Sequence, residues 1–335
     1  MSVSKVIMNS PQRRFSTANL FAKPEASAFA MLVIVLLGFE LWTGIFLSPM
    51  NGKILLTVIP ELGIVALGVT VLMIAGEFDL SVGSVFALTP MLMQVLSVYY
   101  DINIWVSIIV ALAIAVLIGY VNGAVTIGLR IPSFIATLGM LFVARSIAIV
   151  VVGGTPRPMS PDTPTAFFAY DFGMFRSSLL WYIALLAVVG YVLHRTNAGN
   201  WLFATGGQPQ AAKDLGINTR RVKLSAFMLC SFLAGLAGII QVMRTRAPLP
   251  SIGGGLELEA IAAAVIGGTA LTGGVGSVIG CLIGTILIRS IDNGLVMSRV
   301  SAEWFRTALG VMIVLSVVLN VYVQRFAVHG RHKES

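Results

Sequence analysis

A succession of apolar runs, most of them long enough to cross a bilayer, constrains this chain more than any other feature. The mean hydropathy is +0.93, with 57% hydrophobic and only 11% charged residues. One helical span needs about 20 apolar residues, and lipid leaves every backbone polar group to be satisfied within the protein. Because the runs lack the strict alternation of a membrane β-barrel, the sequence predicts an all-α polytopic membrane protein.

We place about ten transmembrane helices on these runs. An amino terminus in the cytoplasm gives the cytoplasmic loops the excess of Lys and Arg that the positive-inside rule expects, and an even number of spans returns the carboxyl terminus to the same side. Residues 1–25 and 326–335 are predicted cytoplasmic tails, and residues 26–325 the membrane domain. The predicted spans are 27–47, 54–75, 83–99, 104–128, 133–152, 179–194, 223–243, 257–270, 277–291 and 303–323.

Catalytic chemistry is sparse in this sequence. No Gly-x-x-x-x-Gly-Lys-[Ser/Thr] motif is present to cradle a nucleotide, and the three histidines lack metal-ligand spacing. Cys230 and Cys281 lie in apolar runs, as expected of membrane-buried thiols. The net charge of +8 follows from topology and indicates no nucleic-acid partner. We therefore expect a non-enzymatic chain without metal or cofactor of its own, surrounded by membrane lipid.

Two glycine-rich interruptions stand out among the apolar runs. The first, residues 76–84, reads Gly-Glu-Phe-Asp-Leu-Ser-Val-Gly-Ser, and the second, residues 267–277, ends on the same Val-Gly-Ser. Irregular backbone at membrane depth is tolerated only where it faces protein or water. Paired broken helices in two halves of a membrane protein indicate a transport path. The shared tripeptide is too short to establish an internal repeat.

Between the sixth and seventh spans lies the one substantial polar segment, residues 195–223, which we expect in the cytoplasm and call the coupling segment. Two glycines break the preceding helix, a Gln-Pro pair starts a new one, and a glycine stops it about two turns later. Such a short helix can seat in a partner and transmit its motion; the alternative is a connector that is basic only because it is cytoplasmic. The candidate coupling residues are Gly206, Gly207, Gln208, Pro209, Ala211, Ala212, Gly216 and Ile217.

At these residues the chain resembles the permease subunits of ribose-type monosaccharide ATP-binding-cassette (ABC) importers, from about residue 45 to 323. The resemblance also rests on the first interruption, on Asn-Gly pairs at 122–123 and 293–294, and on motifs at 131–139, 257–263 and 267–274. Where we expect Gly-Gly-Ile before Asp79, this chain has Gly-Glu-Phe, so a pentose, hexose, deoxysugar or polyol all remain open as substrate.

The resemblance implies the fold of the larger ABC importer permeases, with the coupling helix on residues 206–216. It implies a location in the bacterial inner membrane and a second permease copy, in a homo- or heterodimer. It further implies a cytoplasmic ABC ATPase, which would hold ATP and Mg²⁺, and a periplasmic sugar-binding protein. The chain would form the translocation path of an ATP-driven, binding-protein-dependent importer for a monosaccharide or related polyol.

Two further sets of residues are candidates for contact with substrate and binding protein. We expect small, neutral polar groups along the path; the alternative for Asp79, which we favour slightly, is that it caps the amino end of the third span. Arginines in outer loops run against the positive-inside trend and could face acidic patches of a binding protein, although Arg176 could instead reach lipid headgroups. The path candidates are Asp79, Ser81, Asn122, Thr137, Thr272 and Asn293; the docking candidates are Arg157, Arg176, Arg244 and Arg246.

Ionisable residues within spans are the remaining candidates, because charge at membrane depth is costly. An ion-gradient-driven secondary sugar transporter is the alternative function, and a passive channel a more remote one, but isolated glutamates are a thin basis for ion coupling. Structural pairing explains the arginines equally well. The residues are Glu40, Glu61, Arg145, Arg289 and Asp292.

Overall fold

The computed structural model describes residues 24–153, 158–160 and 162–301, together with scattered residues between 304 and 318. This part of the chain is helical, with a single isolated bridge between Asp171 and Arg176 in place of strands. The predicted tails, Arg157 and most of the tenth predicted span lie outside the described residues. The fold class is therefore the predicted one, an all-α polytopic membrane protein.

Twelve α-helices follow one another along the described chain. In order they are α1 (Pro24–Thr43), α2 (Pro49–Ile74), α3 (Val82–Gln94, extended by a π-helical turn Val95–Tyr99), α4 (Ile104–Leu129), α5 (Ser133–Val151), α6 (Ala166–Ala169), α7 (Ser177–Arg195), α8 (Asn197–Gly207), α9 (Pro209–Asp214), α10 (Thr219–Thr245), α11 (Leu256–Ile266) and α12 (Val278–Met297).

Eight helices in the described part are long and apolar enough to cross a membrane. They coincide with the first seven predicted spans and with the ninth. The eighth predicted span, 257–270, contains only α11, whose 11 residues reach about 16 Å and cover roughly half of the hydrocarbon thickness. Hence α11 is a half-helix, and irregular backbone flanks it on both sides.

The core forms around α10, which packs against α2, α3 and α4. These contacts are close because glycines face backbone: at Gly238 an added Cβ would collide with the carbonyl of Phe86, and at Gly119 with that of Phe227. Small residues of this kind let membrane helices approach each other. By contrast, α1 and α5 leave most of their apolar surface exposed, as helices that face lipid or another subunit do.

Candidate functional site

In its middle, the coupling segment contains the short helix α9, whose residues are mostly exposed. After α8 the backbone turns at Gln208 (φ −143°), and Pro209 occupies the first turn of α9. Gly216 adopts φ +82°, which glycine tolerates without strain, and donates to the carbonyl of Lys213 (2.8 Å). The next residue, Ile217, donates to the carbonyl of Ala212 (3.0 Å). The six-residue helix therefore begins and ends where the sequence predicted.

Most of α9 is accessible to a partner. Only Ala212 is buried in this helix, whereas the following Leu215 is 81% exposed. A single exposed apolar residue is common on protein surfaces, so the accessibility of the whole helix is the relevant observation. The face of α9 that no described residue covers is thus open to contact with a partner.

The coupling segment touches both glycine-rich interruptions at the end of α8. We call this contact the glycine junction, formed by Gly76, Gly206, Gly273 and Gly274. Gly274 donates a backbone hydrogen bond to the carbonyl of Ile74 at the end of α2 (2.9 Å). A Cβ added at Gly206 would overlap that same carbonyl. The end of α8, the end of α2 and the loop before α12 are therefore in backbone-to-backbone contact.

The downstream end of the segment is tied to the first interruption by charge. Lys223, in the first turns of α10, forms a 2.6 Å ion pair with Glu77, and the two side chains are 21% and 14% exposed. Pairs that are largely removed from water keep more of their Coulomb attraction than surface pairs. The coupling segment thus contacts the first interruption at two places, Gly206 and Lys223.

The first interruption itself holds a buried polar cluster. The carboxylate of Asp79 accepts hydrogen bonds from the backbone N–H (2.7 Å) and hydroxyl (2.6 Å) of Ser81 and from the amide of Asn122 in α4 (3.2 Å). From α5, Thr137 accepts from the backbone N–H of Leu80 (3.0 Å). All four path candidates in this cluster are at most 2% exposed. Their hydrogen bonds fix the turn before α3, and their side chains are closed off from solvent.

The other two path candidates lie elsewhere. Thr272 is exposed on the second interruption. Asn293 of α12 donates to the side chain of Asn51 at the start of α2 (2.5 Å) and lines a polar cavity. The six residues therefore belong to three separate places instead of one continuous path.

The polar cavity that Asn293 lines has a volume of about 310 Å³ and lies between α2, α3, α10, α11 and α12. We call it the outer cavity, because α2, α10, α11 and α12 meet there near their predicted outer ends. Its polar lining is Glu61, Gln241, Glu259, Arg289, Asp292 and Asn293. Sequence reasoning singled out the ionisable members except Glu259 and missed Gln241. An amide in the apolar run of α10 was the available signal, since polar side chains within spans are costly.

The arginines of the outer cavity and of α5 have internal partners. Arg289 pairs with Glu259 (3.2 Å) and Asp292 (3.5 Å). Arg145 donates to the backbone carbonyls of Pro250 (2.9 Å), Ile252 (2.7 Å) and Gly83 (3.1 Å). Both therefore serve the structural role that the sequence left open, and Arg145 holds the irregular segment before α11 against α3.

The docking candidates differ from one another in accessibility. Arg244 points inward and forms a 2.6 Å pair with Glu61, beside the outer cavity. Arg246 is exposed and donates to the Thr165 hydroxyl (3.3 Å). Arg176 is half-buried and pairs with Asp171 (3.4 Å), whose pKa is lowered by a hydrogen bond from the backbone of Gly173 and by the charges of Lys53 and Arg176. Of these three, Arg246 offers the most accessible charge.

Spanning helices, broken backbone beside a polar cavity and a protruding short helix together define a transport permease. The chain belongs to the family described as branched-chain amino acid transport system / permease component, whose profile matches residues 53–317.

Individual relatives are import permeases for sugars. The chain is 36% identical to the ribose import permease of Escherichia coli K12 over 77% of this chain and 81% of the relative. It is 32% identical to the xylose/arabinose import permease of Sulfolobus acidocaldarius, over 92% and 87%. It is 29% identical to the fructose import permease of Rhizobium meliloti, over 92% and 88%. No solved structure is significantly similar to this chain.

Proposed function

We propose that this chain is the membrane-spanning subunit of an ATP-driven, binding-protein-dependent importer for a monosaccharide or a related polyol. The observation that carries the proposal is similarity to sugar import permeases over most of the chain. The family description, which mentions branched-chain amino acids, supplies the competing substrate class. Relatives named for ribose, xylose/arabinose and fructose favour a neutral polyhydroxyl solute.

In this proposal the chain couples to ATP hydrolysis without catalysing it. A cytoplasmic ABC ATPase holds ATP and Mg²⁺ and receives α9 in a surface groove. Movement of α9 then reaches both interruptions through the glycine junction and through the pair of Lys223 with Glu77. A rigid-body motion passed through packed backbone is a common form of conformational coupling.

The remaining partners follow from the faces that the chain leaves open. A second permease copy and lipid would cover the exposed apolar surfaces of α1 and α5. A periplasmic sugar-binding protein would dock on the outer side, where Arg246 is exposed. Both termini lie in the cytoplasm of a bacterial inner membrane in this arrangement, as the positive-inside rule favours.

Reconstitution tests this function directly. The chain is placed in liposomes with candidate ABC ATPases and sugar-binding proteins from the same organism, and uptake of labelled D-ribose, D-xylose, D-fructose and L-leucine is measured. We expect one of the sugars to enter only when ATP, the ATPase and the binding protein are all present. Leucine uptake without sugar uptake would contradict the substrate class. Sugar uptake that needs a sodium or proton gradient and no ATPase would favour a secondary transporter.

A further inference from the structure

The outer cavity has the size of a small-molecule site. Its volume of about 310 Å³ equals that of roughly ten water molecules at about 30 Å³ each. This is the lower end of the range for ligand pockets. Its mouth is open, because Ile54 and Val296 at the rim are 47% and 63% exposed. A ligand can therefore enter from outside the helix bundle.

The charges around the outer cavity largely compensate one another. Arg289 pairs with Glu259 and Asp292, and Glu61 pairs with Arg244. Three carboxylates thus face two guanidinium groups, which leaves a small net charge. A strongly anionic ligand or a divalent metal would find little uncompensated charge to bind. The same groups offer several hydrogen-bond acceptors and donors to a neutral ligand.

Hydrogen-bonding capacity remains unused at the cavity wall. The side-chain amide of Gln241 is half-buried and makes no hydrogen bond to another described residue. The buried Nε of Arg289 is likewise without a partner among the residues that the structure describes. Buried polar groups are normally satisfied by protein, water or ligand. Gln241 therefore presents a donor and an acceptor to whatever occupies the cavity, and the Arg289 side chain, which is 15% exposed, joins it in the lining.

One wall of the outer cavity is irregular backbone. Gly253 and Gly254 line it just before α11, on the segment that Arg145 holds in place. Apolar side chains complete the lining, among them Ile54, Val58 and Val296. Substrate sites of membrane transporters often lie where a helix is interrupted. A pocket whose lining combines hydrogen-bonding groups with apolar side chains suits a sugar, which has hydroxyls at its edges and an apolar face.

The geometry points to a low-affinity monosaccharide subsite in the outer cavity, occupied after the binding protein releases its ligand. This inference rests on the proposed function and adds the location of the substrate. Gln241 and Arg289 donate to sugar hydroxyls, and the carboxylates of Glu259 and Asp292 accept from them. Binding must be weak, because a permeating solute has to leave as readily as it enters.

Gln241→Met tests the subsite, since it removes the amide, keeps the side-chain length and breaks no hydrogen bond to a described residue. The probe is whichever of D-ribose, D-xylose and D-fructose the wild-type importer takes up. Saturation-transfer NMR measures binding of that sugar to the permease–ATPase complex in nanodiscs without binding protein. We expect about three- to ten-fold weaker binding than in the wild type. Val58→Phe, which narrows the cavity, should also weaken binding.

Thr245→Val is the matched control, because it removes a polar group one turn away on α10, outside the cavity lining. It should bind the sugar as the wild type does. An imported sugar that shows no saturation transfer from the wild-type complex would overturn the subsite while leaving the importer function intact. Equal binding by wild type, Gln241→Met and Val58→Phe would also overturn it. Binding that requires sodium would reassign the cavity to an ion.

Discussion

The two glycine-rich interruptions differ in structure although their sequences end alike. In the first, Val82, Gly83 and Ser84 already belong to α3, whereas in the second Val275, Gly276 and Ser277 precede α12. The shared tripeptide therefore occupies different positions relative to the helix that follows. Ser277 caps α12 through its hydroxyl, which accepts from the N–H of Gly280 (3.1 Å). In the first interruption, the carboxylate of Asp79 instead accepts a hydrogen bond from the backbone N–H of Ser81, just before α3.

The surroundings of the two interruptions differ even more. Asp79 and Ser81 are fully buried and bonded to side chains from α4, whereas Leu271 and Val275 are 50% and 52% exposed. The first interruption is thus buried within the helix bundle, whereas part of the second is exposed at the surface. They share only the glycine junction, where the coupling segment touches both. The same glycine-rich composition can therefore serve a rigid turn or an accessible one, depending on what packs against it.

Gly206→Ala should have the largest effect, because it acts where both interruptions meet. The added Cβ would overlap the carbonyl of Ile74 and approach the amide of Gly274, both of them backbone atoms that cannot rotate away. We expect near-complete loss of ATP-driven uptake with retained membrane insertion. Gly139→Ala in α5, where a Cβ meets nothing within 4 Å, is the control and should transport normally. Wild-type uptake by Gly206→Ala would remove the junction from the coupling route.

Asp79→Leu should be the next most severe change. Comparing it with a change in the second interruption tests whether only the first interruption contributes strongly to stability. Asp79→Leu leaves the N–H and the hydroxyl of Ser81 without their acceptor, at about 1–3 kcal/mol for each buried group. The amide of Asn122 keeps the Ser81 hydroxyl as an acceptor (2.9 Å). Asp79→Asn keeps an acceptor for Ser81 and should lose less stability. Thr272→Val on the exposed second interruption should change the stability by less than about 0.5 kcal/mol.

Thermal unfolding in detergent measures the stability of the Asp79 and Thr272 variants, and uptake assays measure their transport. If Asp79→Asn and Asp79→Leu stop transport equally while both remain stable, Asp79 acts through its charge and not as a cap. A large loss of stability in Thr272→Val would show that the second interruption is also locked.

Lys223→Met and Glu77→Gln, alone and combined, should have a smaller effect. The pair joins α10 to the first interruption only, so its loss should loosen the coupling without disrupting the junction. A double-mutant cycle on thermal stability should give an interaction energy of about 0.5–3 kcal/mol. Additive single effects would mean that the ion pair contributes no tether. Transport should fall in both single variants and recover in part when both charges are removed.

Leu271→Ser should have the smallest effect on stability, because the side chain is half exposed. If the second interruption faces the ATPase beside α9, the change should weaken co-purification of the ATPase while leaving the melting temperature unaltered. Ile279→Ser is the control, because Ile279 is also apolar and exposed but lies on α12, outside the second interruption. Equal co-purification of both variants and the wild type would leave the partner contact to α9 alone.

Local features of the coupling segment were predictable from the sequence. Pro209 suits the first turn of a helix and Gly216 its end, whatever surrounds them. The full spans were also predictable, since apolar length alone decides whether a helix can cross lipid. The half-helix α11 was predicted as a full span of 257–270, although glycines at 253–255 and 267–268 bracket only 11 residues between them.

The tertiary structure decided which distant residues meet. Arg244 was expected at the outer surface, but its partner Glu61 lies 183 positions away in the sequence, and no local pattern connects them. Gln241 and Glu259 line the outer cavity only because α10 and α11 converge there with α12. Asp79 is buried because α4 and α5 close over the first interruption. The sequence by itself thus determined where the helices run and where the coupling helix lies, since these depend on neighbouring residues. Contacts between distant helices determined which polar groups are locked in the bundle and which face a cavity.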